Sequence, residues 1–262
     1  MDFGNILFSI VLFALAVSPL WFTVDAFNLG VSAGLMALCL FLPLLLDQAF
    51  AICLAVGPVA IYLMLFGAIN LARRPLVVSG GRDFAVLALA VAGLVIVGPM
   101  NLFYPLAASE KFGANVWLLL IGLYALIVIC LILFLRPRLV IYNITMEEIR
   151  PILAEEAAKL DPEARWAGDS LSLPTLGVQL HLDSVAKMRN VSLISSGPAQ
   201  NHQGWRRLEL ALQAALADVE VPRNVRAVGL LSAAAIILLF LVFSVSSDPQ
   251  SVGQSIVEMF WG

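Results

Sequence analysis

The polar side chains with the clearest chemical potential are Asn201, His202, Arg206 and Arg207, which surround the predicted start of a helix. The first amide groups of a helix have no intrahelical partner and carry a partial positive charge, so they attract anions. An imidazole and two guanidinium groups add hydrogen-bond donors at the same place. The cluster therefore predicts a docking or anion-binding site. A solvated loop with a polar helix cap explains the same residues and is the simpler interpretation.

A second basic group consists of Arg73, Arg74 and Arg82, which flank the glycine pair Gly80 and Gly81. Glycines leave backbone amides accessible and guanidinium groups bind phosphate well, so this link is a candidate site for lipid phosphates. The alternative is that the arginines only set the orientation of the chain in a membrane. Because the link lacks the lysine of a Walker motif, it is not a nucleotide-binding P-loop.

A Val-Gly-Pro triplet occurs twice in the apolar part of the chain, with Gly57 and Pro58 in one copy and Gly98 and Pro99 in the other. Proline frees a backbone carbonyl, and a membrane tolerates this only where the carbonyl faces protein or a wet cavity. Paired interruptions of this kind are typical of transporter sites, and Asn101 could add an amide. Simple bending of two packed helices is the alternative. No Asp, Glu, Lys, Arg or His lies in the interior of a predicted span, although ion-coupled carriers normally have one.

The sequence contains no pattern that predicts catalysis, a metal site or a cofactor. The cysteines Cys39, Cys53 and Cys130 all lie in apolar segments, where thiols behave as small hydrophobic groups. With only two histidines in the chain, a metal site lacks soft ligands. Neither a Gly-x-Ser-x-Gly motif nor a pair of carboxylates at a catalytic spacing is present. Acidic residues outnumber basic ones in the polar segment, so we expect no nucleic-acid partner.

The composition indicates a membrane protein, because 61% of the residues are hydrophobic and only 13% are charged. The charged residues are clustered between apolar segments of about 20 residues, which is enough to cross a hydrocarbon layer of about 30 Å. We predict an α-helical polytopic membrane protein with six spans, at 5–24, 27–46, 49–71, 84–106, 114–135 and 226–246.

The basic residues near the span ends predict the orientation. If the six spans alternate in direction, eight arginines fall on one side of the membrane and only Lys111 falls on the other. Those arginines are Arg73, Arg74, Arg82, Arg136, Arg138, Arg150, Arg223 and Arg226. The positive-inside rule then places 137–223 in the cytoplasm and both termini outside. We expect a bacterial cytoplasmic membrane, since the predominance of arginine over lysine is typical of GC-rich genomes.

The polar segment 137–223 predicts a small cytoplasmic α+β domain, inserted between spans five and six. Thr145 and Glu148 form a capping box that opens a helix ending near Leu160. The expected strands are 139–144, the two arms of a hairpin that pairs Leu173 with Val178, and 189–195; a second helix covers 205–219. This order favours two helices on one face of an antiparallel sheet.

We therefore divide the chain into a membrane bundle at 1–136, the α+β domain at 137–223, and the sixth span with a short external interfacial tail at 224–262. The leading hypothesis is a non-enzymatic scaffold, docking or regulatory component at the inner leaflet, in contact with membrane lipids and with a cytoplasmic or membrane protein partner. The first alternative is a small-molecule transporter, or a subunit of one, that uses the paired kinks. An enzyme at the membrane interface is a third hypothesis.

Overall fold

A computed structural model describes residues 49–100, 105, 111–113, 115–185, 188–198, 200–247 and 249–261 of the chain. The chain divides into two compact units. The helical unit comprises the described parts of 1–67, 86–131 and 228–262. The sheet unit comprises the described parts of 68–85 and 132–227.

In chain order, the described elements are α1 (Ala49–Leu71), β1 (Leu76–Ser79), α2 (Gly80–Val95, continued by the π-helical segment Ile96–Met100), α3 (Asn115–Phe134), β2 (Arg138–Tyr142), α4 (Met146–Leu160), β3 (Arg165–Ala167), β4 (Ser170–Leu173), β5 (Val178–Val185), β6 (Asn190–Ser195), α5 (His202–Leu216), α6 (Ala227–Ser247) and α7 (Pro249–Trp261). The prediction of a mostly helical protein with a small antiparallel sheet is confirmed.

Four of the described helices, α1, α2 with its π-helical continuation, α3 and α6, are long and apolar enough to cross a membrane. Each begins within four residues of the predicted start of spans three to six. The predicted spans 5–24 and 27–46 lie outside the described residues. A total of six spans therefore stays a prediction.

Small residues allow the helices of the helical unit to approach closely. A methyl group added at Gly93 of α2 would lie 1.7 Å from the backbone oxygen of Leu54 in α1. A methyl group added at Gly67 of α1 would lie 2.9 Å from the side chain of Leu231 in α6. Membrane helices pack by such close backbone contact, because lipid offers no hydrophobic gain for their association. Gly93 and Gly67 are therefore required for these helix contacts.

We predict that Gly93→Ala destabilises the protein by about 1–3 kcal/mol, because the added methyl group must push α1 and α2 apart. Thermal unfolding of the full chain in detergent measures the effect. Gly122→Ala in α3 is the matched control, since its methyl group meets no described atom within 4 Å. Equal melting temperatures for the two variants would contradict the prediction.

The sheet unit contains a six-stranded sheet in the order β1-β2-β6-β5-β4-β3, in which every neighbouring pair is antiparallel. One face of the sheet, together with α4 and α5, forms a single hydrophobic core. The helices contribute one buried stripe each, at Ile149, Leu153 and Ala157 in α4 and at Trp205, Leu208, Leu212 and Leu216 in α5. Two helices on one face of the sheet is the predicted arrangement.

The predicted capping box at the start of α4 is present. The Thr145 amide donates to the Glu148 carboxylate at 2.9 Å, and the Glu148 amide donates to the Thr145 hydroxyl at 3.4 Å. The Arg189 guanidinium donates to both oxygens of the same carboxylate, at 2.8 and 3.0 Å. Burial raises the pKa of Glu148, but these hydrogen bonds and the Arg189 charge outweigh burial and lower the pKa below its usual value.

The predicted hairpin register is also present, with Leu173 opposite Val178 and Ser170 opposite His181. The first arm is shorter than expected, however, because the chain turns at Gly168 and forms the separate edge strand β3. Gly168 has a φ of 64°, a conformation that glycine adopts without steric cost. The alternation of apolar and polar residues continues through this turn, so periodicity alone does not reveal it.

The strand β1 was not predicted. It belongs to the link between α1 and α2, which we interpreted only as a connection between two spans. The structure pairs Val77 with Ile141 and Ser79 with Leu139, which places β1 at one edge of the sheet. The sheet unit thus includes residues outside the predicted domain of 137–223.

Candidate anion-binding pocket

A pocket of about 320 Å³ lies within the sheet unit, where β1 meets α2, α3 leads into β2, and α5 begins. It is lined by Ser79, Gly80, Gly81, Ile132, Leu133, Leu135, Arg136, Pro137, Arg138, Leu139, His202, Trp205, Arg206 and Glu209. The pocket unites parts of two predicted sites. His202 and Arg206 come from the predicted docking cluster, and the glycine pair comes from the predicted phosphate-binding link.

The start of α5 is held in place by its own cap and by the turn between β4 and β5. The Asn201 side chain accepts a hydrogen bond from the Gln203 amide at 3.0 Å, and the Asn201 amide donates to the Gly177 carbonyl at 2.9 Å. A methyl group added at Gly204 would lie 2.2 Å from the Leu176 carbonyl oxygen. The first turn of α5 therefore packs directly on the hairpin turn, which fixes the position of His202.

The buried carboxylate of Asp161 stabilises the turn between β4 and β5. This carboxylate accepts hydrogen bonds from the Thr175 amide at 2.7 Å, the Thr175 hydroxyl at 2.8 Å, the Glu163 amide at 3.0 Å and the Leu176 amide at 3.4 Å. Burial raises the pKa of Asp161, but the four hydrogen bonds together outweigh burial and lower the pKa below its ordinary value. Asp161 thus stabilises the fold in its ionised form.

We predict that Asp161→Asn lowers the melting temperature of the full chain at pH 7 by roughly 5 °C or more. The amide keeps one acceptor oxygen but turns its NH₂ group towards backbone donors that need an acceptor. Because the pKa of Asp161 is lower in the folded chain, its ionised carboxylate stabilises the fold at any pH above the unfolded-state pKa of about 3.9. This stabilisation is lost as the pH falls through the lower pKa of the folded state.

The difference in melting temperature between the wild type and Asp161→Asn should therefore become smaller below about pH 4. Thermal unfolding in detergent from pH 7 to pH 3 measures it. Asp183→Asn is the control, because Asp183 is exposed on β5. A constant difference across this pH range would show that Asp161 does not act through its charge.

The second wall of the pocket is formed by Arg138 lying across the first residue of α2. A methyl group added at Gly80 would lie 2.1 Å from Cγ of Arg138, so only glycine leaves room for this side chain. The Arg138 guanidinium pairs with Asp83 at 2.9 Å, and the Tyr142 hydroxyl donates to the same carboxylate. Nε of Arg138 is buried and has no hydrogen-bond partner in the described part of the chain.

The remaining charges of the pocket belong to Arg136, Arg206 and Glu209. Arg206 pairs with Glu209 at 2.8 Å, and the side chain of Glu209 is only 5% exposed. The Gln213 amide also donates to Glu209 at 3.3 Å. Arg136 is exposed and forms no ion pair among the described residues. Because Asp83 and Glu209 balance the other two arginines, Arg136 leaves the pocket with an excess positive charge.

The other predicted polar residues do not line this pocket. Arg73, Arg74 and Arg82 are exposed, and the Arg73 carbonyl accepts a hydrogen bond from the Val221 amide at 2.8 Å. Arg207 is also exposed and is not among the residues that line the pocket. In the sequence, Arg136 and Arg138 indicated only the orientation of the chain in a membrane. Their position directly after a span, at the start of a strand, is the signal that could have marked them as site residues.

The predicted kink residues lie in the helical unit. Pro58 of α1 and Gly93 of α2 line an apolar groove of about 300 Å³, but Gly98 and Pro99 do not. Gly98 and Pro99 lie in the π-helical segment and are exposed. Asn101 lies outside the described residues. The structure therefore does not bring the two Gly-Pro pairs together around this groove.

Among the described residues, no group of three or more His, Cys, Asp or Glu side chains could hold a metal ion. Comparison of the chain with protein-family models, with curated proteins and with solved structures finds no match.

Proposed function

We propose that this protein is a non-enzymatic docking component of the cytoplasmic membrane, which presents its sheet unit at the inner surface to a protein partner. The observation that carries the proposal is the way in which the chain enters and leaves the sheet unit. The chain crosses the boundary of this unit four times, entering it twice and leaving it twice, between residues 67 and 68, 85 and 86, 131 and 132, and 227 and 228. Each of these positions lies within or at the end of a helix that could cross a membrane.

Four helical connections without a linker suit a docking platform, because they confine the unit to the membrane surface. A domain that must move to a distant substrate is normally connected to the rest of the chain by a flexible linker. The last residues of α1 and the segment after them also form hydrogen bonds with the rest of the sheet unit. The buried Asn143 side chain donates to the Ala72 carbonyl at 2.6 Å, and the Asn224 amide donates to the Asn70 carbonyl at 3.4 Å.

The orientation in this proposal rests on the arginines near the span ends, through the positive-inside rule. With six spans, residues 137–223 face the cytoplasm and both termini face outward. The arginines at 73, 74 and 82 then lie beside the anionic inner leaflet, where each basic residue gains about 1 kcal/mol. Lys111 lies on the opposite side of the membrane.

We predict opposite labelling of two single-cysteine variants, Lys111→Cys and Glu155→Cys, in a background without the three native cysteines. A membrane-impermeant maleimide should label position 111 in intact cells, and position 155 only after the cells are permeabilised. Both positions are exposed, so accessibility to the reagent is set by the membrane alone. Labelling of position 155 in intact cells would overturn the proposed orientation.

We predict that a photo-crosslinking amino acid at position 207 captures a discrete protein partner in living cells. Arg207 is exposed near the start of α5 and belongs to the predicted docking cluster. Position 165 is the matched control, because it is exposed on β3, the edge strand at the other end of the sheet from β1. Identical adducts at both positions, or none at position 207, would contradict docking through this end of the unit.

The alternative function is a small-molecule transporter or a subunit of one. It is favoured by the π-helical segment Ile96–Met100, which contains Gly98 and Pro99. Such segments occur often at functional sites, because they leave backbone groups without regular partners. The apolar lining of the groove beside Pro58 supports helix packing more than solute passage. An enzyme at the membrane interface stays the third hypothesis.

A further inference from the structure

We propose that the pocket formed by Gly80, Arg136, Arg138, His202 and Arg206 binds the phosphate group of an anionic phospholipid. The proposal rests on the membrane-surface location given under the proposed function, but it does not require a protein partner. It also differs from the phosphate site predicted from sequence, because Arg73, Arg74 and Arg82 lie outside the pocket.

The polar wall of the pocket supplies donors that suit phosphate. Arg206 uses only Nη1 in its pair with Glu209, which leaves its other nitrogens for a ligand. The α2 helix begins at Gly80, so its first amides lack intrahelical partners and carry the positive end of the helix dipole. The exposed guanidinium of Arg136 can meet a phosphate in bidentate geometry. His202 adds a ring nitrogen.

The charge of the pocket favours an anion although two carboxylates are near it. Asp83 is engaged by Arg138 and Tyr142, and Glu209 is engaged by Arg206 and Gln213. Their negative charges are therefore already neutralised in local pairs. Nε of Arg138 also lacks a partner in the described chain, but it is buried against Gly80, so Arg138 contributes its charge to the pocket and not this donor.

The apolar wall of the pocket distinguishes a phospholipid from a free phosphate. It consists of Ile132, Leu133 and Leu135 at the end of α3. This helix has 20 residues, enough to cross about 30 Å of hydrocarbon, so its end lies near the depth of lipid headgroups. Leu133 is 77% exposed and would be in contact with an acyl chain. A ligand with both a phosphate and an acyl chain can bind the donors of the polar wall and pack against the leucines and the isoleucine of the apolar wall.

The test compares phosphatidylglycerol with phosphatidylcholine and inorganic phosphate as ligands of the full-length protein in detergent, by native mass spectrometry and titration. Wild type should bind phosphatidylglycerol more tightly than either other ligand. Arg136→Gln should weaken that binding about tenfold, the effect of losing one hydrogen bond to a charged group. Arg165→Gln, which removes the same charge from an exposed position on β3 outside the pocket, should leave it unchanged.

A second variant, Arg206→Gln with Glu209→Gln, removes a complete ion pair so that no buried carboxylate is left alone. It should also weaken phosphatidylglycerol binding, with a melting temperature that reports whether the fold is intact. Equal losses in Arg136→Gln and Arg165→Gln would overturn the proposal, since binding would then follow net charge alone.

Binding of inorganic phosphate as tight as that of phosphatidylglycerol would also overturn it, in favour of a soluble ligand. Loss of lipid selectivity with normal cysteine labelling and crosslinking would defeat this inference and leave the proposed function intact. Reversed labelling with preserved lipid selectivity would defeat only the proposed orientation.

Discussion

A charged side chain in the centre of a bilayer costs several kcal/mol, and a backbone in hydrocarbon must satisfy its own hydrogen bonds. In this chain, α1, α3 and α6 contain no charged residue. Of the four described helices that could cross a membrane, only α2 carries charge, at Arg82 and Asp83 in its first turn. The carboxylate of Asp83 accepts hydrogen bonds from Arg138 and Tyr142, so it does not depend on water for its partners. The charged first turn of α2 thus belongs to the sheet unit, where Asp83 is paired, and the pocket lies within the same unit.

The chemistry of the pocket depends on a series of short contacts that begins far from it. Asp161 holds the turn at 174–177, and this turn supports the first residues of α5 through the Gly204 backbone. On the other side, Gly80 gives Arg138 the room to cross the start of α2. Neither glycine is needed for a special backbone angle. Both are needed because another group occupies the space of a side chain.

Local patterns in the sequence were enough to predict the four described apolar helices, the helices α4 and α5, the capping box at Thr145 and the register at Leu173. Each of these depends on residues only a few positions apart, where periodicity and turn chemistry are informative. The strand β1 could not be predicted in this way. It has four residues, and it pairs with β2, which is about 60 positions later. The pocket was missed for the same reason, since Gly80, Arg136 and His202 come together only through long-range pairing of the sheet.

The order of the strands has a consequence for synthesis of the protein. The strand β6 is the last of the six along the chain, yet it lies between β2 and β5 near the middle of the sheet. Until β6 leaves the ribosome, the ribbon β1–β2 and the meander β3–β5 are separate and each has an open edge. Unpaired edges readily join other chains. The ribbon β1–β2 is covalently joined to α1, α2 and α3, which are made before β6, so this ribbon stays tethered to the apolar helices while the last strand is still being made.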